Sequence, residues 1–481
     1  MSKNSYKFGW VSSTVHLAED TLLEEPRNHH HEDQYLDPDG TPRPGVVTAD
    51  IVVGAAISDE DDYNEIDDDD LCDEGPPTDI LRHSSLRCSC TQIYLVTADD
   101  TPGYNRLFRK LEKIPACREC TKIRRTFNGV LKFASLDTSE ECALKLAKKG
   151  YLVEENSIQE IGATQPSQPV KMQKRIYPGN PSTNSYSRNN ASDVTIFILD
   201  TGVMPTHDEF QYMGNSRIIF HNDTITPETP ITFDMNGHGT RCASVAVGSH
   251  IGIARNATIR SIRVADATGS ANADDVIAGV NNVQEWWNSN TDKKCVVSYS
   301  MSSNSNTATI NYAFGNLTLN TDCVIVVAAG NQGANILTAD ACDYSPSTVP
   351  EVITVGGSKQ IKINGVRVER RFDISNYGPC VDIYAPGKSI DVASPPPLNM
   401  LGSTSYYGRS SGTSFSTPAV AGAAAMILST TTLNPTGTET MTSLVRDILE
   451  NTKGLLDGLP TSGTLQSNNV LLKIDDNTYY Q

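Results

Sequence analysis

Four short strings in the 481-residue chain place chemically useful side chains beside glycines and at the ends of apolar runs. In Ile196-Phe197-Ile198-Leu199-Asp200-Thr201-Gly202 an acid closes a run that reads as a buried strand. An acid at the C-terminal end of a parallel strand lies where open α/β sheets carry their sites. In Asn236-Gly237-His238-Gly239-Thr240 a histidine sits between two glycines, ahead of the small apolar stretch Cys242, Ala243, Val245 and Ala246. In Ser411-Gly412-Thr413-Ser414-Phe415-Ser416-Thr417-Pro418 a serine precedes a proline and the run Ala419 to Ile427. Proline is tolerated in the first turn of a helix, so the string predicts Ser414 at or near a helix N-terminus. Free N–H groups and the helix dipole favour negative charge there, which suits a nucleophile whose attack creates an oxyanion. Ala328-Ala329-Gly330-Asn331-Gln332-Gly333 closes a further apolar run, and Asn331 offers an amide donor at the same sheet edge.

Taken alone, each string has a plainer reading: a turn Asp, a structural His, a capping Ser, a turn Asn. The Asp-Thr-Gly tripeptide also occurs in aspartic proteases, where two carboxylates share a proton. That use needs a second copy or a small homodimeric chain, and this long chain has no second copy.

The elements that must hold these residues follow from pattern. Val194 to Leu199, Thr258 to Val264, Val296 to Ser300, Val324 to Ala329 and Val352 to Val355 are short apolar strands alternating with helical stretches. Such runs predict an α/β fold with a parallel sheet buried on both faces. Ahead of it, residues 91–163 read β-α-β-β-α-β: Ile93–Val96, a helix over Tyr104 to Ile114, a strand or hairpin over Phe127 to Phe133, a helix over Ser139 to Lys149, and Tyr151–Val153. That order predicts a small ferredoxin-like α+β sandwich. Pro166 to Ser192 is rich in Pro, Gly, Asn and Ser and reads as an exposed connector.

Charge divides the chain. The net is −18, and residues 1–75 alone hold 20 acidic and 4 basic side chains. Residues 1–90 therefore read as a disordered acidic leader, because the run around Asp67-Asp68-Asp69-Asp70 repels itself and offers little to bury. Acidity argues against a nucleic-acid binder. No apolar run is long enough for a membrane-spanning helix. Met1 to Asp20 lacks the long apolar core of a secretory signal.

Together the four strings resemble the subtilisin-like serine proteases, most closely their proteinase K branch, over roughly residues 193–474. The order Asp, His, Ser is the subtilisin order. The resemblance implies a three-layer fold around a parallel central sheet, residues 164–481 as the catalytic domain, and no cofactor for catalysis. It implies Ser414 as nucleophile, His238 as general base and later acid, Asp200 as the group that orients His238, and Asn331 as oxyanion donor. It implies substrate bound as an added β-strand between Gly269-Ser270-Ala271 and Ser300-Met301-Ser302, with Ala328, Ala329 and Gly330 lining an apolar-preferring pocket. Relatives usually carry glycines where Ser302 and Ser303 stand, and often His in place of Arg241, which is expected to point away from His238. Residues 91–163 resemble the subtilisin propeptide. The resemblance implies a zymogen whose tail Ser157 to Ala163 lies in the cleft until self-cleavage near Ala163. The partners implied are protein or peptide substrates and the chain's own propeptide, with a monomeric enzyme. A rival reading is a binding protein that cuts itself once and keeps its propeptide as a plug.

The chain has 11 cysteines. The strings around Cys342 and Cys380 resemble a disulfide pair in relatives. Cys295 and Cys323 begin predicted neighbouring strands and form a candidate bridge; relatives pair the Cys295 position with one that is Asp193 here. Cys242 matches a free thiol. Cys88-x-Cys90 and Cys117-x-x-Cys120 leave zinc, disulfides and free thiols open. The resemblance also implies a structural Ca²⁺ held by Asp382 and the carbonyls of Pro350 and Val352, hard oxygen ligands of the kind calcium takes.

Overall fold

A computed structural model describes residues 92–98, 101–118, 121–128, 132–160, 191–212, 215–396, 404–451, 454–456, 459 and 466–473. The acidic leader, most of the connector, the bond after Ala163, and Cys88, Cys90 and Cys120 lie outside the described residues.

Residues 92–155 form strands β1 (Gln92–Thr97), β2 (Lys122–Asn128), β3 (Lys132–Thr138) and β4 (Leu152–Glu155), with helices α1 (Thr101–Lys113) and α2 (Glu140–Ala147). The strands make a four-stranded sheet in the order β2-β3-β1-β4, antiparallel throughout. Helix α2 starts where Ser139 accepts from the Cys142 N–H, with Glu140 and Glu141 in the first turn, where the dipole favours acids. One face of this sheet is closed by its own helices through Val96, Leu107, Leu111, Ala134, Leu136 and Leu146. A short helix at Pro115–Arg118, not foreseen, carries Cys117, which is bonded to Cys142. Cys117 is therefore not available to a zinc site, and Cys142, read as one more apolar position of its helix, is a cross-link.

The larger sheet contains β6 (Val194–Asp200), β7 (Ile218–Asp223), β8 (Thr258–Arg263), β10 (Lys294–Tyr299), β12 (Val324–Ala328), β13 (Ile353–Ile363), β14 (Val366–Arg371), β15 (Ile383–Pro386), β16 (Gly454–Leu455) and β17 (Val470–Leu471). Its order is β16-β17-β15-β13-β12-β10-β6-β8-β7, parallel from β17 to β7, with β14 antiparallel on β13. The side chains of β6 explain the layers. Ile196 and Ile198 join a cluster with helices α3 (His238–Val247) and α6 (Thr413–Thr430). Phe197 and Leu199 face the other way, into a cluster with α4 (Ala273–Asn288) and α5 (Ala308–Asn320). Period-two alternation with apolar residues on both faces demands cover on both, and the helices supply it. Helix α6 is apolar all round and almost wholly buried, which suits its Ala-rich sequence. Helix α7 (Met441–Glu450) packs beside it through Val445 and Leu449.

The structure departs from the sequence reading in two further places. The strand expected at Val352 to Val355 runs on as a hairpin through Arg371. Pro418 is the sixth residue of α6 rather than a first-turn residue. The Cys342–Cys380 and Cys295–Cys323 disulfides are both present, and Cys242 is a buried free thiol.

Candidate active site

Asp200 ends β6, His238 opens α3 and Ser414 is the second residue of α6. The fold brings the three together, and each is at most 2% exposed. His238 Nδ1 lies 2.8 Å from Asp200 Oδ1 and 3.0 Å from Oδ2. The Thr201 N–H also donates to Asp200 Oδ1, at 2.8 Å. Gly239 makes the approach possible: a Cβ there would sit 2.1 Å from the Gly202 carbonyl oxygen and 3.0 Å from Asp200 Cβ. Burial by itself disfavours the imidazolium, but the Asp200 carboxylate outweighs it and holds His238 well above its ordinary pKa.

Sequence reasoning missed Asp234, which fixes the start of α3. Asp234 Oδ1 accepts from Gly237 N–H at 2.7 Å, Asn236 N–H at 3.0 Å and Thr201 Oγ1 at 2.9 Å. Its Oδ2 accepts from the N–H and hydroxyl of Thr240 at 2.9 and 2.7 Å. Thr201 Oγ1 in turn accepts from Gly239 N–H at 3.0 Å. One buried carboxylate thus ties the residue after Asp200 to the helix that carries His238. The available signal was an Asp shortly before a glycine-bounded helix start. Arg241 leaves this cluster, its Nε donating to Ser394 Oγ at 3.1 Å.

Ser414 Oγ is buried and has no hydrogen-bond partner among the described residues. Its main-chain N–H lies in the first turn of α6, where amides lack intrahelical acceptors. Pro418, four residues on, has no N–H to give to the Ser414 carbonyl. That carbonyl instead accepts from the Cys242 thiol at 3.3 Å, which joins the starts of α3 and α6. Burial, the largest influence, raises the Cys242 pKa and keeps the thiol protonated. Asp200, His238 and Cys242 have ligand atoms within 4.8 Å of one another. A protonated thiol already committed to a carbonyl makes them a hydrogen-bonded cluster.

Asn331 follows β12 on Gly330, whose φ of +98° favours glycine. Its Oδ1 accepts from Thr413 N–H at 2.9 Å and Thr413 Oγ1 at 3.3 Å. The amide NH₂ is therefore the end left to donate beside Ser414. Ala328, Ala329 and Gly330 are buried next to it.

Two edge strands, β9 (Ser270–Asn272) and β11 (Ser302–Ser303), flank a third segment, β5 (Ile158–Glu160), in an antiparallel three-stranded sheet. Ser270 and Ser302 both pair with Glu160, and Ala271 and Ser303 with Gln159. Gly269, Ser300 and Met301 lie just outside these ladders. Gln159 is fully buried, with Tyr299 Oη donating to its Oε1 at 3.4 Å. Ser303 N–H donates to the Ser345 carbonyl at 2.9 Å, and Ser303 Oγ accepts from Ser345 N–H at 2.8 Å. The segment before β5 is anchored too. Glu154 accepts from the Ala308 and Thr309 N–H groups at the start of α5, at 2.9 and 2.7 Å. Asn156 Nδ2 and Ser135 Oγ donate to Asp274 at 2.8 and 2.9 Å, and Arg125 pairs with Asp275. Burial, more than Arg125 offsets, pushes Asp275 up to about 6.

The proposed calcium ligands do not fit a dication. The Pro350 and Val352 carbonyls accept from Arg446 Nη1 at 2.7 and 3.3 Å, and Asp382 Oδ1 lies 3.7 Å from the same nitrogen. A guanidinium stands where the ion would have to stand.

A sequence model of the Subtilase family matches residues 191–474. The chain is 36% identical over 243 residues to subtilisin-like protease 2 of Pseudogymnoascus destructans, an alignment covering 50% of this chain and 54% of that one. It is 31% identical over 302 residues to proteinase R of Parengyodontium album, covering 61% of this chain and 69% of that one. The chain thus spans about half the length of the first relative and about two thirds of the second. The crystal structure of a cold-adapted subtilisin-like serine proteinase is similar at a TM-score of 0.50 and 28% identity, covering 64% of this chain and all of that one. The family match takes in β6, α3, β12 and α6, the elements that carry Asp200, His238, Asn331 and Ser414, and the chain belongs to the subtilase family.

Proposed function

We propose that the chain is a serine endopeptidase made as a zymogen, with residues 91–163 as an inhibitory propeptide and 164–481 as the catalytic domain. The observation that carries this reading is the buried Ser414 hydroxyl, without a partner among the described residues, beside an Asp200–His238 pair and the Asn331 amide. His238 Nε2 takes the Ser414 proton as Oγ attacks the scissile carbonyl. Asp200 fixes Nδ1 as the protonated nitrogen and stabilises the imidazolium that forms. The Asn331 NH₂ and the Ser414 N–H receive the oxyanion. His238 then protonates the leaving amine, and water attacking with His238 as base releases the acyl group. Substrates are extended peptide segments that add a strand between β9 and β11, as β5 does. The lining of Ala328, Ala329 and Gly330 favours an apolar residue before the cut.

A second reading is favoured by the polar anchors Glu154, Asn156 and Arg125: the chain cuts itself once near Ala163 and retains the small unit as a plug. One experiment separates the two. The full chain and its Ser414→Ala variant are expressed, the N-termini of the products mapped, and a casein-type substrate offered. Self-cutting with turnover supports the peptidase. Self-cutting without turnover, with the fragment still bound, supports the plug. Neither event in the unsubstituted chain defeats both.

A further inference from the structure

The end of the large sheet where β13 and β15 begin gathers oxygen atoms around one point. Val352 is fully buried, and its carbonyl and that of Pro350 converge with the Asp382 carboxylate. Asp382 is held in place from the other side: its Oδ2 accepts from Thr354 N–H at 2.7 Å, and its own N–H donates to the Thr354 carbonyl at 3.0 Å. Two carbonyls and a carboxylate form a hard, electron-rich set that calls for a cation. The cation present is the side chain of Arg446, which reaches in from the middle of α7.

Arginine is suited to this position. Its guanidinium is charged at every accessible pH and presents planar N–H donors. At 2.7 Å, Nη1 makes a full hydrogen bond to the Pro350 carbonyl. A calcium ion bonded to the same oxygen would lie about 2.3–2.6 Å from it. Ion and nitrogen would then claim the same space, and the positive charge of the guanidinium would repel the ion.

We propose that Arg446 acts as a built-in cation that replaces a divalent ion at this end of the sheet, locking α7 to β13 and β15, and that removing the guanidinium opens a calcium site. The proposal is independent of the catalytic reading, since it concerns only the melting of the folded chain.

The test measures thermal unfolding of the full chain in chelator and in millimolar CaCl₂. The unsubstituted chain should melt at the same temperature in both, or show a calcium response that Asp382→Asn leaves unchanged. Arg446→Ala should melt lower in chelator, by on the order of a few degrees, and recover most of that loss in CaCl₂. Adding Asp382→Asn to Arg446→Ala should abolish the recovery. If Arg446→Ala is too unstable to purify, Arg446→Gln, which keeps the stem and one amide donor group but no charge, provides the same comparison. The proposal is overturned by a calcium response of the unsubstituted chain that disappears in Asp382→Asn. It is equally overturned if neither Arg446 variant is rescued by calcium.

Discussion

The two main sheets of Ser84–Gln481 bury their side chains differently. The large parallel sheet is covered on both faces by helices from its own sequence, and its β6 strand feeds two separate clusters. The small antiparallel sheet covers only one face with its own α1 and α2. On its other face, Leu95 and Phe133 belong to the cluster built around α4 and α5 of the large unit, with Phe127 packed against it. Fully burying a side chain of that size is worth about 1.5–3 kcal/mol. The small sheet therefore draws part of its stability from docking, whereas the large one has helices of its own on both faces. The cross-link between Cys117 and Cys142 strengthens the side that docking does not reach.

Substitutions can break or sharpen this contrast, and they rank by size. Ser414→Ala should lower turnover by on the order of 10⁶, the loss known for subtilisin, while leaving the docked small unit in place. Unchanged casein hydrolysis would remove Ser414 from the chemistry. Phe133→Ala should cost about 3–5 kcal/mol, as a buried aromatic truncation does, and all of it should appear in the small unit. The expected result is early loss of docking with unchanged kcat/KM of the processed enzyme. An equal fall in the melting temperature of the processed enzyme would show that the two cores are not separable. Asn331→Ala should reduce kcat about 10²–10³-fold with little change in KM, and should not touch docking. The pH dependence is the mildest probe. His238 must be neutral to act as base, and its pKa is raised above the ordinary 6.5. Activity should therefore be present above that raised value and fall as pH drops through it. A kcat/KM profile flat from alkaline pH to well below 6 would contradict the Asp200–His238 coupling.

How much of this was legible in the sequence depends on how local each determinant is. The strings around Asp200, His238, Asn331 and Ser414 pair a functional residue with glycines or small residues at an element end, so their placement was readable. The strands of the large sheet were readable because burial on both faces leaves continuous apolar runs. The β13–β14 hairpin was not, because Lys359 faces Arg370 and Lys362 faces Arg367 across a ribbon with little to bury. Pro418 was misplaced because the Cys242 thiol, from another helix, serves the carbonyl that proline leaves without a donor. The Cys117–Cys142 bond was missed because spacing alone leaves pairings open. Asp234 and Arg446 act across the fold, on partners that sequence distance does not reveal.

The tie between Ser303 and Ser345 has a consequence in conformational entropy. A glycine edge would be mobile until a ligand orders it. Here reciprocal hydrogen bonds hold β11 extended, and a non-glycine residue removes about 0.4–1 kcal/mol of backbone freedom from the disordered alternatives. Less ordering is then left for the incoming chain to bring about. Any extended segment gains from this, and the segment with the highest effective concentration is the chain's own tail. Under the zymogen reading proposed above, a pre-ordered groove favours the covalently attached ligand over free substrate and lengthens the interval between folding and release.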